Sequence, residues 1–124
     1  MIKLFVDDIR NPPDDSWVVA RTVTEAIRML ATQDVGVVSL DHDIQHGVEV
    51  AGCHIAFTCM ETFEPVARFI CALASSDLQC ELATIVLHTA NPVGARKMAE
   101  IFHEEGLGIV ISPMKPVNRL KESK

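Results

Sequence analysis

No apolar run in this 124-residue chain approaches the roughly 18 residues that a membrane helix needs. The opening Met1-Ile2-Lys3 leads straight into strand-like sequence rather than into a secretory leader. Both absences predict a cytoplasmic location. Basic excess is also lacking: a net charge of −6 and a pI near 5.2 argue against rows of contacts to nucleic-acid phosphates. No Cys-x-x-Cys pair occurs. Cys53, Cys59, Cys71 and Cys80 stand 6, 12 and 9 residues apart, the spacing of neither a zinc knuckle nor a redox dithiol, and they read as reduced, mostly buried thiols. Internal repeats and low-complexity tracts are missing. At 13.6 kDa there is room for one domain, over 1–124, which buries roughly two thirds of the surface of its unfolded chain.

What is present is apolar. A content of 48% hydrophobic residues and a mean hydropathy of +0.22 are high for so short a chain, and they predict that a partner covers part of its apolar surface. Five strand-like runs can be picked out at Ile2 to Val6, Trp17 to Ala20, Val37 to Leu40, Ala83 to Leu87 and Leu107 to Ile111. Three helices fall between them. Thr22-Val23-Thr24-Glu25 has capping-box spacing ahead of a stripe of Val23, Ala26, Ile27 and Leu30, which predicts a helix from about Val23 to Thr32. A second begins with Thr62 as N-cap and Pro65 in its first turn, with Val66, Phe69, Ile70 and Leu73 on one face. Asn91-Pro92 opens a third, which turns Met98, Ile101 and Phe102 inward and stops at Gly106. Asp7 to Asp15 contains Pro12-Pro13 and turn formers, so it reads as a loop, and 44–62 shows no clean period.

Strands alternating with helices predict a parallel sheet with right-handed crossovers, whose ligands lie beyond the carboxyl ends of the strands. Charged residues are clustered at those ends. Val37-Val38-Ser39-Leu40 runs into Asp41-His42-Asp43, Leu4-Phe5-Val6 into Asp7-Asp8, and Ile85-Val86-Leu87 into His88-Thr89. Charge is costly where a core strand ends, so such groups point to chemistry. Asp7, Asp8 and Asp41 would repel one another without a cation between them, and oxygen-only ligands favour Mg²⁺ or Mn²⁺.

Asp-Asp after the first strand, Asp after the third, Thr-Ala after the fourth and Lys-Pro after the fifth resemble the response-regulator receiver domain across essentially the whole chain. The resemblance implies an α/β, doubly wound, flavodoxin-like sheet of five parallel strands in order 2-1-3-4-5. The first and last receiver helices would be reduced or absent here, because the first linker is broken by prolines and only Val117 to Lys124 follow Pro116. The sheet face those helices would cover predicts a homodimer, unless Val48 to Leu82 wraps around it. Ordinary receivers lack His42-Asp43 and His46 after the strand-three Asp, and the pattern Asp-Asp-x-Arg-x-Pro-Pro, then Ser39-Leu40-Asp41-His42-Asp43, then His-Thr-Ala-Asn-Pro-x-Gly is similar to one receiver-like group, the cyclic-phosphate processing receiver domains. That similarity implies phosphodiesterase-like chemistry.

On this reading Asp7, Asp8 and Asp41 hold the metal. Thr89, Asn91, Lys115 and Arg10 contact phosphate, and Asp41, His42, His88 and Lys115 carry the reaction, the two imidazoles as acid and base on a cyclic phosphate of a nucleotide or RNA end. Asp43 supports them. Each histidine can equally be a hydrogen-bonded strand-end residue, and Arg10 can pair with a carboxylate instead of a phosphate. His42, His46, His54 and Cys53 offer a zinc alternative whose spacing fits no standard finger. His103, on the outer side of its helix, receives no role. Two other functions compete with the enzyme: a signalling module with Asp41 as phosphoacceptor, and an interaction module with a dead site.

Overall fold

The computed structural model describes residues 1–44, 47–50, 53–56, 61–76 and 84–112. The elements are β1 (Ile2–Val6), β2 (Trp17–Ala20), α1 (Val23–Thr32), β3 (Val35–Leu40), β4 (Asp43–Ile44), β5 (Gly47–Val50), β6 (Cys53–Ala56), β7 (Glu61–Thr62), α2 (Glu64–Ser75), β8 (Thr84–Leu87), α3 (Pro92–Glu104) and β9 (Val110–Ile111). Five strands form one parallel sheet in the order β2-β1-β3-β8-β9. Counted within that sheet alone, the order is 2-1-3-4-5. The labels run higher because two antiparallel ribbons, β4 with β7 and β5 with β6, occupy the stretch that showed no period in sequence.

Side-chain alternation explains where the core sits. Leu4 and Val6 of β1, Val38 and Leu40 of β3, and Ile85 and Leu87 of β8 share one face, and they pack with Ala26 and Leu30 of α1, Val66 and Ile70 of α2, and Met98 and Phe102 of α3. At 25 cal/mol per Å² of apolar surface, each large side chain buried there contributes roughly 1.5–3 kcal/mol. Phe5 and Ser39 alternate onto the other face and are buried as well. No helix intervenes between β1 and β2, as the Pro12-Pro13 loop requires. The end of the chain from 113, including Lys115 and the place of a last receiver helix, lies outside the described residues.

The caps hold with small corrections. Thr22 Oγ1 accepts from Glu25 N at 3.1 Å, but Glu25 reaches back to Arg21 N rather than to Thr22. α2 starts one residue later than expected, with Phe63 at the cap and Pro65 within its first two positions, while Thr62 Oγ1 accepts from Glu64 N at 3.3 Å. Asn91 caps α3 by accepting from Val93 N at 3.1 Å. The last strand is shorter than its apolar sequence suggested, and the cause lies in the helix before it. Gly106 adopts φ +73°, Gly106 N donates to His103 O and Leu107 N to Phe102 O, a Schellman ending that takes Leu107 out of the strand. Only Val110 and Ile111 then pair with β8. Among the described residues no helix is long and apolar enough to cross a membrane.

Candidate metal and phosphate site

Register builds the site. Val6, Leu40 and Leu87 are partners across β1, β3 and β8, and the ladder continues one residue past the strands: Asp7 N donates to Ala20 O, Asp41 N to Val6 O and His88 N to Leu40 O, at 2.9–3.1 Å. Asp7, Asp41 and His88 therefore form one row across three adjacent strands. All three are at most 4% exposed, so every polar atom in the row must find a partner or an ion.

Asp7 is held from several sides. Its Oδ1 accepts from Ile9 N and Arg10 N, both at 2.9 Å, a turn that also fixes the start of the loop. Its Oδ2 meets His88 Nε2 at 3.0 Å and Arg10 Nη1 at 3.4 Å. Burial alone would raise this carboxyl, but the His88 bond and the amides of Arg10 and Ile9 outweigh it and lower the pKa to about 2. Asp41 moves the other way. Burial and then the charge of Asp7 raise it above the ordinary aspartate value, although the amide of His42 and the hydroxyl of Thr89 favour its ionised form. Two carboxylates close in space cannot both ionise freely.

Asp8 completes a triad in which one oxygen from each of Asp7, Asp8 and Asp41 lies within 4.8 Å of the others. This is an all-oxygen donor set of the kind that suits Mg²⁺ or Mn²⁺. A cationic group already stands there: Arg10 Nη1 is 3.4 Å from Asp7 Oδ2 and 3.4 Å from Asp41 Oδ2. The chemistry of the donors fits a bound cation, and in its absence the Arg10 guanidinium supplies positive charge to Asp7 and Asp41.

The two histidines occupy different places. His88 stacks on Phe5, ring centroids 4.4 Å apart and planes 8° from parallel, and its Nδ1 meets Ser39 Oγ at 2.7 Å while Nε2 faces Asp7. An apolar ring thus holds an imidazole against a carboxylate. His42 turns away from the row, with Nδ1 2.6 Å from Asp43 Oδ1 and Nε2 2.8 Å from Glu64 Oε2. Only a ring carrying both protons can donate to both. Its backbone amide still serves the site, donating to Asp41 Oδ1 at 2.8 Å.

Thr89 is buried beside Asp41, and its Oγ1 accepts from Asn91 N at 3.1 Å. The Asn91 amide spans the two oxygens of Asp43 at 3.2 and 3.3 Å. Asn91 therefore braces Asp43 and caps α3 from one side chain. The structure brings Asp7, Asp8, Asp41, Arg10, His88 and Thr89 together, and places His42, Asp43 and Asn91 in an adjoining network. Lys115 and His46 lie outside the described residues, as do the side chains of Cys53 and His54, so of the zinc alternative only His42 can be placed, and carboxylates take both its nitrogens. Cys71 is a free, buried thiol and His103 is exposed.

Three residues of the network received no role from the sequence. Ser39 stands in the Ser-Leu-Asp-His-Asp pattern without a function of its own there, and Glu64 looks like a first-turn helix acid. Arg21 has no motif around it, yet its guanidinium donates to the carbonyls of Asp7 and Arg10 and to Asn11 Oδ1 at 2.8 Å, which pins the loop carrying Arg10. For Ser39 the available signals were that pattern and its position, one strand period before Asp41.

A family model, the cyclic-phosphate processing receiver domain, matches residues 2–104. No curated protein and no solved structure matches the chain. The match spans β1 through α3, with every described site residue inside it and Lys115 beyond it. By this match, and by a sheet of the order that the receiver resemblance implied, the chain belongs to the cyclic-phosphate processing receiver domain family.

Proposed function

We propose that the protein is a metal-dependent enzyme of phosphate esters, hydrolysing a cyclic phosphate on a nucleotide or an RNA end. The observation that carries this reading is the convergence of Asp7, Asp8 and Asp41 within 4.8 Å at the carboxyl ends of adjacent parallel strands. A Mg²⁺ or Mn²⁺ ion held there would neutralise the carboxylates and polarise a phosphoryl oxygen.

This chain's own groups supply the rest. The Thr89 hydroxyl, beside Asp41, is available to a phosphate oxygen on exchanging its present bond, and Arg10 supplies positive charge next to the same carboxylates. Ring opening adds water across one ester bond: the water oxygen joins phosphorus, the ester oxygen leaves with a proton, and a phosphomonoester remains. His88 is one hydrogen bond from the carboxylate row, which favours it over His42 for moving those protons. His42, tied to Asp43 and Glu64, positions Asp41 through its amide.

The test is a screen of the protein with Mg²⁺ and with Mn²⁺ against 2′,3′-cyclic nucleotides, 3′,5′-cyclic nucleotides and acetyl phosphate. Metal-dependent opening of a cyclic ester is the expected result. Stoichiometric labelling of Asp41 by acetyl phosphate, without turnover of any cyclic ester, would replace the enzyme with a phosphoaccepting receiver.

A further inference from the structure

Arg10 is the one described residue whose cationic group lies between two members of the acidic row. Its Nη1 is equidistant, at 3.4 Å, from Asp7 Oδ2 and Asp41 Oδ2, and its side chain is 13% exposed. Its backbone is anchored separately: Arg10 N donates to Asp7 Oδ1, and its carbonyl accepts from Arg21. The base of the side chain is therefore fixed while its tip lies against groups that a cation would also claim.

We infer that Arg10 is a built-in counter-cation that gives way when a divalent ion binds Asp7 and Asp41, and that its displaced guanidinium then becomes an anchor for phosphate. This rests on the metal reading above and adds an order to it: cation first, phosphate second. The reason is charge. The guanidinium and a divalent ion compete for the same carboxylate oxygens, and two positive charges at that separation repel. Once the ion is in place, the freed guanidinium, still tethered by its pinned backbone, offers a planar fork of donors suited to phosphate oxygens. The metal-free site, in contrast, gives phosphate a guanidinium already engaged with two carboxylates.

A residue of this kind has opposite effects on the two ligands, which a merely structural residue would not have. Arg10→Gln removes the competitor and should tighten Mn²⁺ binding, read by the free-ion electron paramagnetic resonance signal, by roughly threefold or more. The same substitution should weaken binding of inorganic phosphate to the Mn²⁺-saturated protein, read by calorimetry. Arg10→Lys, which keeps a charge and loses the fork, should leave Mn²⁺ affinity near that of the unsubstituted protein and still weaken phosphate. Circular dichroism and a thermal midpoint with Mn²⁺ present verify folding of both variants.

Mn²⁺ binding that is unchanged or weaker in folded Arg10→Gln overturns the displacement. Undiminished phosphate binding in both variants overturns the anchoring role. If the unsubstituted protein binds neither Mn²⁺ nor Mg²⁺, the metal reading itself fails, which is a separate result from either of these.

Discussion

A methyl group on Gly94 would lie 2.4 Å from Nδ1 of His42 and 2.5 Å from its Cγ. The first turn of α3 thus closes on the imidazole that already joins Asp43 to Glu64 of α2, so three elements meet at one ring. The ring is held by hydrogen bonds at both nitrogens, which a shift away from α3 would disturb. Gly94→Ala should destabilise the protein by about 1–3 kcal/mol, the usual cost of overpacking a filled interior, as measured by urea unfolding. A loss below a few tenths of a kcal/mol would show that His42 is free to move.

Ser39 and His88 give a prediction on chemistry. Ser39→Ala leaves His88 Nδ1 buried without the hydroxyl that it now meets at 2.7 Å, at a cost of roughly 1–3 kcal/mol. His88→Ala removes both the Asp7 contact and the proposed proton carrier, so turnover of a cyclic ester should fall by roughly 10²–10⁴-fold while metal still binds. Unchanged turnover in both His88→Ala and His42→Ala would take the histidines out of the mechanism.

Opposite shifts at Asp7 and Asp41 set the pH behaviour of the metal-free protein. Asp7 is depressed from 3.8 to about 2, so its ionised form favours the fold: it contributes about 2 kcal/mol above the unfolded value, lost as pH falls from near 4 to near 2. Asp41 is raised, so its contribution is present at low pH and is lost as pH rises through its folded value. Asp41→Asn should therefore stabilise the metal-free protein at neutral pH, where Asp7→Asn should destabilise it. Thermal midpoints of the two variants decide the matter, and midpoints that move in the same direction would contradict the assignment.

These contrasts mark what was legible in the sequence. α1 and β2 fall at the expected residues, because capping chemistry at Thr22 and a β-branched run at Trp17 to Ala20 are local signals. The Asn91 cap and the Gly106 stop are local in the same way. The shortened last strand was obscured because Leu107 has a strand-like side chain and a helix-terminating backbone. The ribbons of β4 with β7 and β5 with β6 were illegible because strands of two and four residues are too short to show a period. In the site, the acidic row could be read from strand ends alone, whereas the different placement of His88 and His42 depends on contacts with Phe5, Ser39 and Glu64 from separate elements.

The three helices share the sheet face that carries Leu4, Val38 and Ile85, and Phe5 with Trp17, 6.0 Å apart edge to face, belongs to the opposite one. We propose that a second copy packs there. Light scattering at tens of micromolar should give the mass of a homodimer, and Trp17→Asp should halve it. A monomeric mass for the unsubstituted protein would mean that the chain covers this face itself.

Calorimetric titration of Mg²⁺ and Mn²⁺ into the protein and into Asp41→Ala tests the central claim most directly. One divalent ion per chain should bind the unsubstituted protein at millimolar concentration or below, and binding should be lost in the variant. Failure of both ions to bind, or equal binding to Asp41→Ala, would contradict a metal site built on Asp7, Asp8 and Asp41.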